Sequence, residues 1–415
     1  TALDLAGNQS QGSGPALLTI DRTPPTISAF ASTHQYATLN NTVTLQAAVL
    51  DNFGLNGTPT LYLNGTMMNV PTISGNTYYW QFQITPALTQ GAAVIAVEAI
   101  DRAGNEASGS PASTILVVDY TQPSISALTV TPSRAKGGTP LTLTAQVVEN
   151  YGLNGTPTMN INGLPVPPPS HSGSTYTWNY IVPTTPPPAE GPAEIEILAV
   201  DLAGNFNNLL NTSQLTYDPN APIFSNAEAV PNLARLGQTA TITVNVYDSS
   251  PFSGTPSLTV NGVSATYIGV EDLGGNNKIL TFSFIIAAGT PEGDADLQFS
   301  AADILGNART TSFNDVLMVD KTAPVISDVS ASPSVSRAGG TVNITFDAID
   351  AFSAIYGTPT VTVNGASASY QSVSGGHYTY RYTVRSTSLD PNGPATIFIT
   401  CRDTVGNSGS VQHND

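Results

Sequence analysis

One five-residue phrase, Asp-x-x-Gly-Asn, recurs at Asp4–Asn8, Asp101–Asn105, Asp201–Asn205, Asp303–Asn307 and Asp403–Asn407, which sets a period of about 100 residues. Three further phrases keep step with it. A linker phrase starts at each of Asp21, Asp119, Asp218 and Asp320 and ends in proline four residues later; a Gly-Thr-Pro-Thr/Ser phrase starts at Gly57, Gly155, Gly254 and Gly357; an Asn-Gly pair follows at Asn64, Asn162, Asn261 and Asn364. A chain that repeats itself at domain length folds as an array of one domain, and such arrays serve as spacers, scaffolds or multivalent surfaces.

In 415 residues this period yields four domains, 22–119, 120–218, 219–320 and 321–415, preceded at 1–21 by the closing strands of an incomplete one. Each is of ordinary domain size and can bury its own core. Their interiors read as strands. Val43, Leu45, Ala47 and Val49 alternate with polar residues, as do Leu141–Val147, Ala240–Val246 and Val342–Ala348, and the run before each pentad repeats the pattern, as in Ala93, Ile95, Val97 and Ala99. Period two means one face in and one face out, and Glu194 and Glu196 mark the outward face. Asn-Gly after a β-rich run predicts a tight hairpin, because both residues tolerate positive φ. Alternating aromatic rows (Tyr78, Trp80, Phe82; Tyr176, Trp178, Tyr180; Leu280, Phe282, Phe284; Tyr378, Tyr380, Tyr382) read as core fillers. About seven short strands per repeat with no helical period predict an all-β fold, a tandem array of immunoglobulin-like β-sandwich domains forming an extended rod.

On Asp-x-Ala-Gly-Asn near the end of most repeats and Asp-Lys-Thr-Ala-Pro at Asp320–Pro324, the chain resembles the tandem bacterial immunoglobulin-like repeats of large exported surface proteins and adhesins. The resemblance covers the whole chain but identifies a domain family, not an activity. The phrase Asp218–Pro222 is also similar to cadherin linkers, without the rest of the cadherin calcium pattern.

The net charge is −17, from 12 Lys and Arg against 29 Asp and Glu. Phosphates would be repelled, so the charge argues against nucleic acid or an anionic membrane as partner, and multivalent cations are the natural counter-charge. The position of the acids sharpens this. The second strand of each repeat ends in Asp51, Glu149, Asp248 or Asp350, and the strand before the pentad ends in Asp101, Asp201, Asp303 or Asp403, all on the inward parity. In an immunoglobulin-like sandwich these strands face each other and run toward the end where the chain enters. The linker acids arrive there too. Four triads are therefore expected: Asp21, Asp51, Asp101; Asp119, Glu149, Asp201; Asp218, Asp248, Asp303; Asp320, Asp350, Asp403. Clustered carboxylates repel one another unless protonated or bridged, and calcium suits irregular oxygen cages. The rival reading has each pentad acid accepting bonds from backbone N–H groups of its own turn. The resemblance adds that some relatives stiffen their joints with calcium, which would clamp each linker and remove hinge freedom.

No His/Cys metal spacing, nucleophile elbow or phosphate loop is present, so no enzyme is expected. The four histidines share no repeat position. Cys401 stands where other repeats carry alanine, which marks a core filler, and a single cysteine excludes disulfides within the chain. No stretch reads as a leader or a bilayer-spanning run, so targeting and anchoring segments are expected outside this stretch. Two proline-rich runs, 165–169 and 183–192, read as stiff loops guarding strand edges or as a contact surface; Asn40, Asn64, Asn211 and Asn343 sit in glycosylation sequons.

Residues Ala16–Ile20 read as a closing strand, whereas the last domain lacks one. Two explanations stand: a stretch of a longer array, or a filament subunit whose strand completes the next molecule. The expected function is a structural stalk or fibre of an extracellular or cell-surface adhesin, on the order of 150 Å long from strand spacing. Its partners would be neighbouring copies or further repeats, with a surface glycan or protein met by regions outside this stretch. Carbohydrate-binding modules are the alternative from another class, and would need exposed aromatics.

Overall fold

The computed structural model describes residues 2–10, 18–386 and 388–414, which form strands and turns without a helix, and hence none long and apolar enough to cross a membrane. The chain divides into two compact units, one of Thr1–Ser133, Gly137–Thr185 and Gly191–Tyr217, the other of Arg134–Lys136, Pro186–Glu190 and Asp218–Asp415.

In the first unit, the first repeat builds an antiparallel sheet in the order Thr26–Ser32, Thr42–Leu50, Thr77–Gln83, Thr72–Ser74. A second sheet is ordered Thr66–Met67, Thr60–Leu63, Ile95–Ile100, Glu106–Gly109. The second repeat has the same two orders, centred on Pro140–Val148 against Thr175–Ile181 and on Thr158–Ile161 against Ile195–Val200. In the second unit the pattern recurs twice, with Thr239–Tyr247 and Thr341–Ile349 central in one sheet and Leu297–Ala302 and Ile397–Arg402 central in the other. Two antiparallel sheets in these orders are those of an immunoglobulin-type sandwich, so the chain is an all-β tandem array of that fold.

Alternation explains the cores. Val43, Leu45, Ala47 and Val49 point inward against Leu61, Leu63, Ile95 and Val97, and all are buried. Trp80, Trp178, Phe282 and Tyr380 fill the centres of the four sandwiches, and Cys401 is buried. A fully buried large apolar side chain contributes about 1.5–3 kcal/mol, so dense rows of them stabilise each sandwich without a disulfide. The hairpins form where Asn-Gly placed them: Asn64 and Gly65 take φ of 49° and 79°, and the other three pairs do likewise. Each turn asparagine also reaches across to the pentad strand, as Asn261 does in accepting from the Asp296 N–H at 2.9 Å.

One element is finer than the sequence reading. In the first repeat a two-residue strand, Val117–Val118, pairs antiparallel with Gly91–Ala92 and parallel with Tyr36–Ala37. Met318–Val319 does the same in the third, against Gly293–Asp294 and Leu233–Ala234. Leu116, Val118, Leu317 and Val319 are fully buried, so this strand seals the end of its core. The last repeat does have a strand after its pentad, Ser408–His413, paired with Ile397–Arg402. The strand without a counterpart there, among the described residues, is the short sealing one. Of the expected closing strand at 16–20, residues 16 and 17 lie outside the described residues, and Leu18–Ile20 are irregular and exposed. Around the first pentad, Ala2–Leu3 pairs with Gln9–Ser10.

Candidate metal centres

Each pentad folds into a tight turn organised by its aspartate. In the second repeat the Ala203 and Asn205 N–H groups both donate to Asp201 Oδ1 at 2.8 Å, and the Asn205 side chain donates to Oδ2 at 2.7 Å. The same three bonds form at Asp4, Asp101 and Asp303, and Asp403 is held by Gly406, Asn407 and the Asn407 side chain. The turn reading is therefore right for the pentad acids.

It does not account for their neighbours. The structure brings all four expected triads together: Asp21, Asp51 and Asp101; Asp119, Glu149 and Asp201; Asp218, Asp248 and Asp303; Asp320, Asp350 and Asp403 each place carboxylate oxygens within 4.8 Å of one another. Asp101, Asp201, Asp303 and Asp403 are buried, as are Asp119, Asp218, Asp248 and Asp320. Asp21, Asp51, Glu149 and Asp350 are half-buried. Local N–H groups satisfy one oxygen of each linker acid and second-strand acid: Phe53 and Gly54 donate to Asp51 Oδ1, Thr121 to Asp119 Oδ1, and Ser250 to Asp248 Oδ1. The other oxygen has no partner in Asp21, Asp51, Asp119, Glu149, Asp218 and Asp320, although it is buried. An orphaned buried acceptor costs about 1–3 kcal/mol, more when charged, so these oxygens are left at a cost that the local turns do not offset.

The electrostatics carry the same imprint. Burial pushes the Asp248 carboxyl up to about 6, with the Asp218 and Asp303 charges adding to it and Lys278 partly offsetting it. Burial likewise raises Asp119, Glu149 and Asp320, each with further repulsion from its triad partners. At Asp101 burial also opposes the charged form, but the bonds from Asn105 and the turn N–H groups outweigh it and leave the group below its ordinary value.

The pentad asparagine has a second role that the sequence reading missed. Its side chain also donates to the linker aspartate's carbonyl, from Asn105 to Asp21, Asn205 to Asp119 (3.0 Å), Asn307 to Asp218 (3.1 Å) and Asn407 to Asp320 (3.1 Å). In the first unit Thr38 donates to Asn205 Oδ1; in the second, Lys136 Nζ lies 3.2 Å from Asn307 Oδ1 and Arg235 Nη1 lies 3.4 Å from the Gly406 carbonyl. The linker aspartate's own N–H is fixed at Ala37, Ala135 or Ala234. Gln90, Glu190 and Glu292 accept bonds from linker groups about 30 residues onward, Glu190 from within the second proline-rich run. The even spacing of these residues was the signal that could have found them.

No family model matches the chain, and no curated protein matches it in sequence. Among solved structures it is similar to a Ca2+-stabilised adhesin of an Antarctic bacterium, at 18% identity over 94% of this chain and 98% of that one, with a TM-score of 0.36. It is also similar to a tetra-tandem repeat from the extending region of a large adhesion protein (17%, 93% and 99%, TM-score 0.36) and to an I-band fragment of titin (12%, 72% and 100%, TM-score 0.40). These neighbours are tandem immunoglobulin-like and adhesin repeats. The likeness concerns fold class alone, which the strand orders establish by themselves.

Proposed function

We propose that this chain is a non-enzymatic structural repeat region of a protein displayed outside the cell, the stalk or fibre of an adhesin, whose joints are stiffened by a divalent cation, calcium in the first place. One observation carries the reading: at the leading end of every repeat three carboxylates converge, and in each triad at least one buried carboxylate oxygen is left without a hydrogen bond. A hard cation that prefers oxygen ligands would occupy that gap and cancel the repulsion. The holding groups would be Asp21, Asp51 and Asp101, then Asp119, Glu149 and Asp201, then Asp218, Asp248 and Asp303, then Asp320, Asp350 and Asp403. The cation supplies charge neutralisation and cross-linking. The linker acid, the second strand and the pentad turn would then move as one piece, with the pentad asparagine already bonded to the linker backbone. Burial of Trp80 and Trp178 supports a structural role over a glycan-binding platform.

Calcium binding to the folded state alone raises stability by RT ln(1 + [Ca]/Kd), about 2.7 kcal/mol per site at a hundred times Kd. Thermal unfolding with millimolar calcium and with chelator is the test, alongside small-angle scattering. A clear rise in Tm and a stiffer scattering profile with calcium are expected. Identical melting and scattering in both buffers would return the acids to turn chemistry.

A further inference from the structure

The last repeat departs from the other three at three positions of one outer face. Tyr356 stands where the others carry Asn56, Asn154 and Ser253; Phe398 replaces Ala96, Glu196 and Gln298; Arg402 replaces Ile100, Val200 and Ala302. Ile399 and Cys401 point into the core and are buried, so Phe398, Thr400 and Arg402 face out by parity. Thr360, Thr400 and Ser410 lie directly abreast on three neighbouring strands. Arg402 lies to one side of this row of hydroxyls and Phe398 to the other, roughly 13 Å apart along the strand. Tyr356 joins the Arg402 side, its N–H donating to the Arg402 carbonyl at 2.7 Å.

These groups line a cleft of about 580 Å³, with no acidic side chain in its lining among the described residues. That volume lies in the range of small-ligand sites, about 300–1,000 Å³. Tyr356 is 66% exposed and Phe398 39%. Arg402 is exposed and forms no ion pair among the described residues. The sandwich needs none of the three, because the third repeat builds the same strand pairing with Ser253, Gln298 and Ala302. Nor does the openness of the face depend on its place in the chain: Glu98 and Leu198, abreast of Thr60 and Thr158, are exposed on it in the first and second repeats.

We propose that this cleft is a saccharide-binding site and that its ligand is an acidic sugar, one bearing a carboxylate. The flat faces of Tyr356 and Phe398 carry partial negative charge and suit the C–H face of a sugar ring, which is apolar and faintly positive. The row of Thr360, Thr400 and Ser410 offers hydroxyls at strand spacing, about 4.8 Å, each able to donate to and accept from the hydroxyls of a sugar. The Arg402 guanidinium is a planar fork of donors that matches a carboxylate with two parallel bonds. Charge discriminates among the repeats, since Glu98 and Glu196 stand on this face in the first and second and would repel such a ligand. The inference goes beyond the stalk reading, giving one repeat of the array a ligand of its own, and it uses none of the carboxylate triads.

Binding of the 415-residue chain to an array of carboxylated glycans and their neutral counterparts, sialyllactose beside lactose among them, tests it at constant calcium. Carboxylated glycans should be retained, and their neutral counterparts should bind roughly tenfold or more weakly. Tyr356→Ser, Phe398→Gln and Arg402→Ala give this face the residues of the third repeat, so Tm should be unchanged. Arg402→Ala should erase the preference for the carboxylate, while each ring change should weaken acidic and neutral glycans alike, roughly fivefold or more. Retention of no glycan, equal retention by the wild type and by the chain with all three changes, a preference for neutral glycans, or equal binding of a glutamate-rich peptide would overturn the proposal. None of these outcomes moves the chelator response of Tm, so the cation reading stands or falls on its own.

Discussion

At the residue scale the most informative side chain is Asp248, whose carboxyl burial raises to about 6 beside Asp218 and Asp303. An acid whose folded pKa lies above its unfolded value is held charged at a cost, so in chelator stability should fall as pH rises from about 4 through 6. Calcium should reverse that slope, since protons compete with the ion for the same oxygens. Asp248→Asn keeps an acceptor for the Ser250 N–H and removes the charge. In chelator it is expected to stabilise the chain by about 1–2 kcal/mol, and in saturating calcium to destabilise it; denaturant melts in both buffers would show the change of sign. A loss of stability in both buffers would mean that the carboxylate acts only as a turn former. The core tryptophans offer a contrast. Trp178 is fully buried and its indole N–H has no partner, while the equivalent Phe282 needs none. Trp178→Phe should therefore cost about 1 kcal/mol or less, against about 3–5 kcal/mol for Trp178→Ala.

At the scale of elements, the hairpin asparagines combine two jobs, a left-handed backbone and a bond to the pentad strand. Asn261 has φ of 49° and accepts from the Asp296 N–H. Asn261→Gly keeps the backbone and loses the bond, so about 1 kcal/mol should go; Asn261→Ala adds backbone strain and should cost about 2 kcal/mol, measured by urea unfolding. The turn, the inward acids and the apolar rows were legible because their physics is local or has period two. Val43 to Val49 shows its face in seven letters, and Asp51 inherits that face by parity. Other features left no such mark. Ala29 and Ala127 sit at φ of 52° where the first strands shift register, yet alanine gives no sign of a left-handed position. The sealing strand is two residues long, too short for alternation to speak, and its parallel partner lies about 80 residues away. The bonds of Gln90 and Glu292 to the next linker depend on how consecutive repeats meet, which no single strand pattern encodes.

At the scale of the whole molecule, the four triads are near copies, but they are not identical. Three contain only aspartates, and one contains Glu149. Calorimetric titration with calcium should resolve binding at the four sites, and Asp201→Asn should remove one site's heat while leaving three, with the loss confined to the second repeat. Loss of all binding heat from that single change would mean one coupled site and not four. The pairing of Val117–Val118 with Tyr36–Ala37 has a further consequence. The two strands run the same way, one near the start of its repeat and one at its end, so tension along the chain drags them past each other. Their hydrogen bonds then bear load together in shear and must break together, whereas a hairpin pulled open from one end would unzip one bond at a time. A strand pair joined this way resists a sudden tug far better than its modest hydrogen-bond count implies.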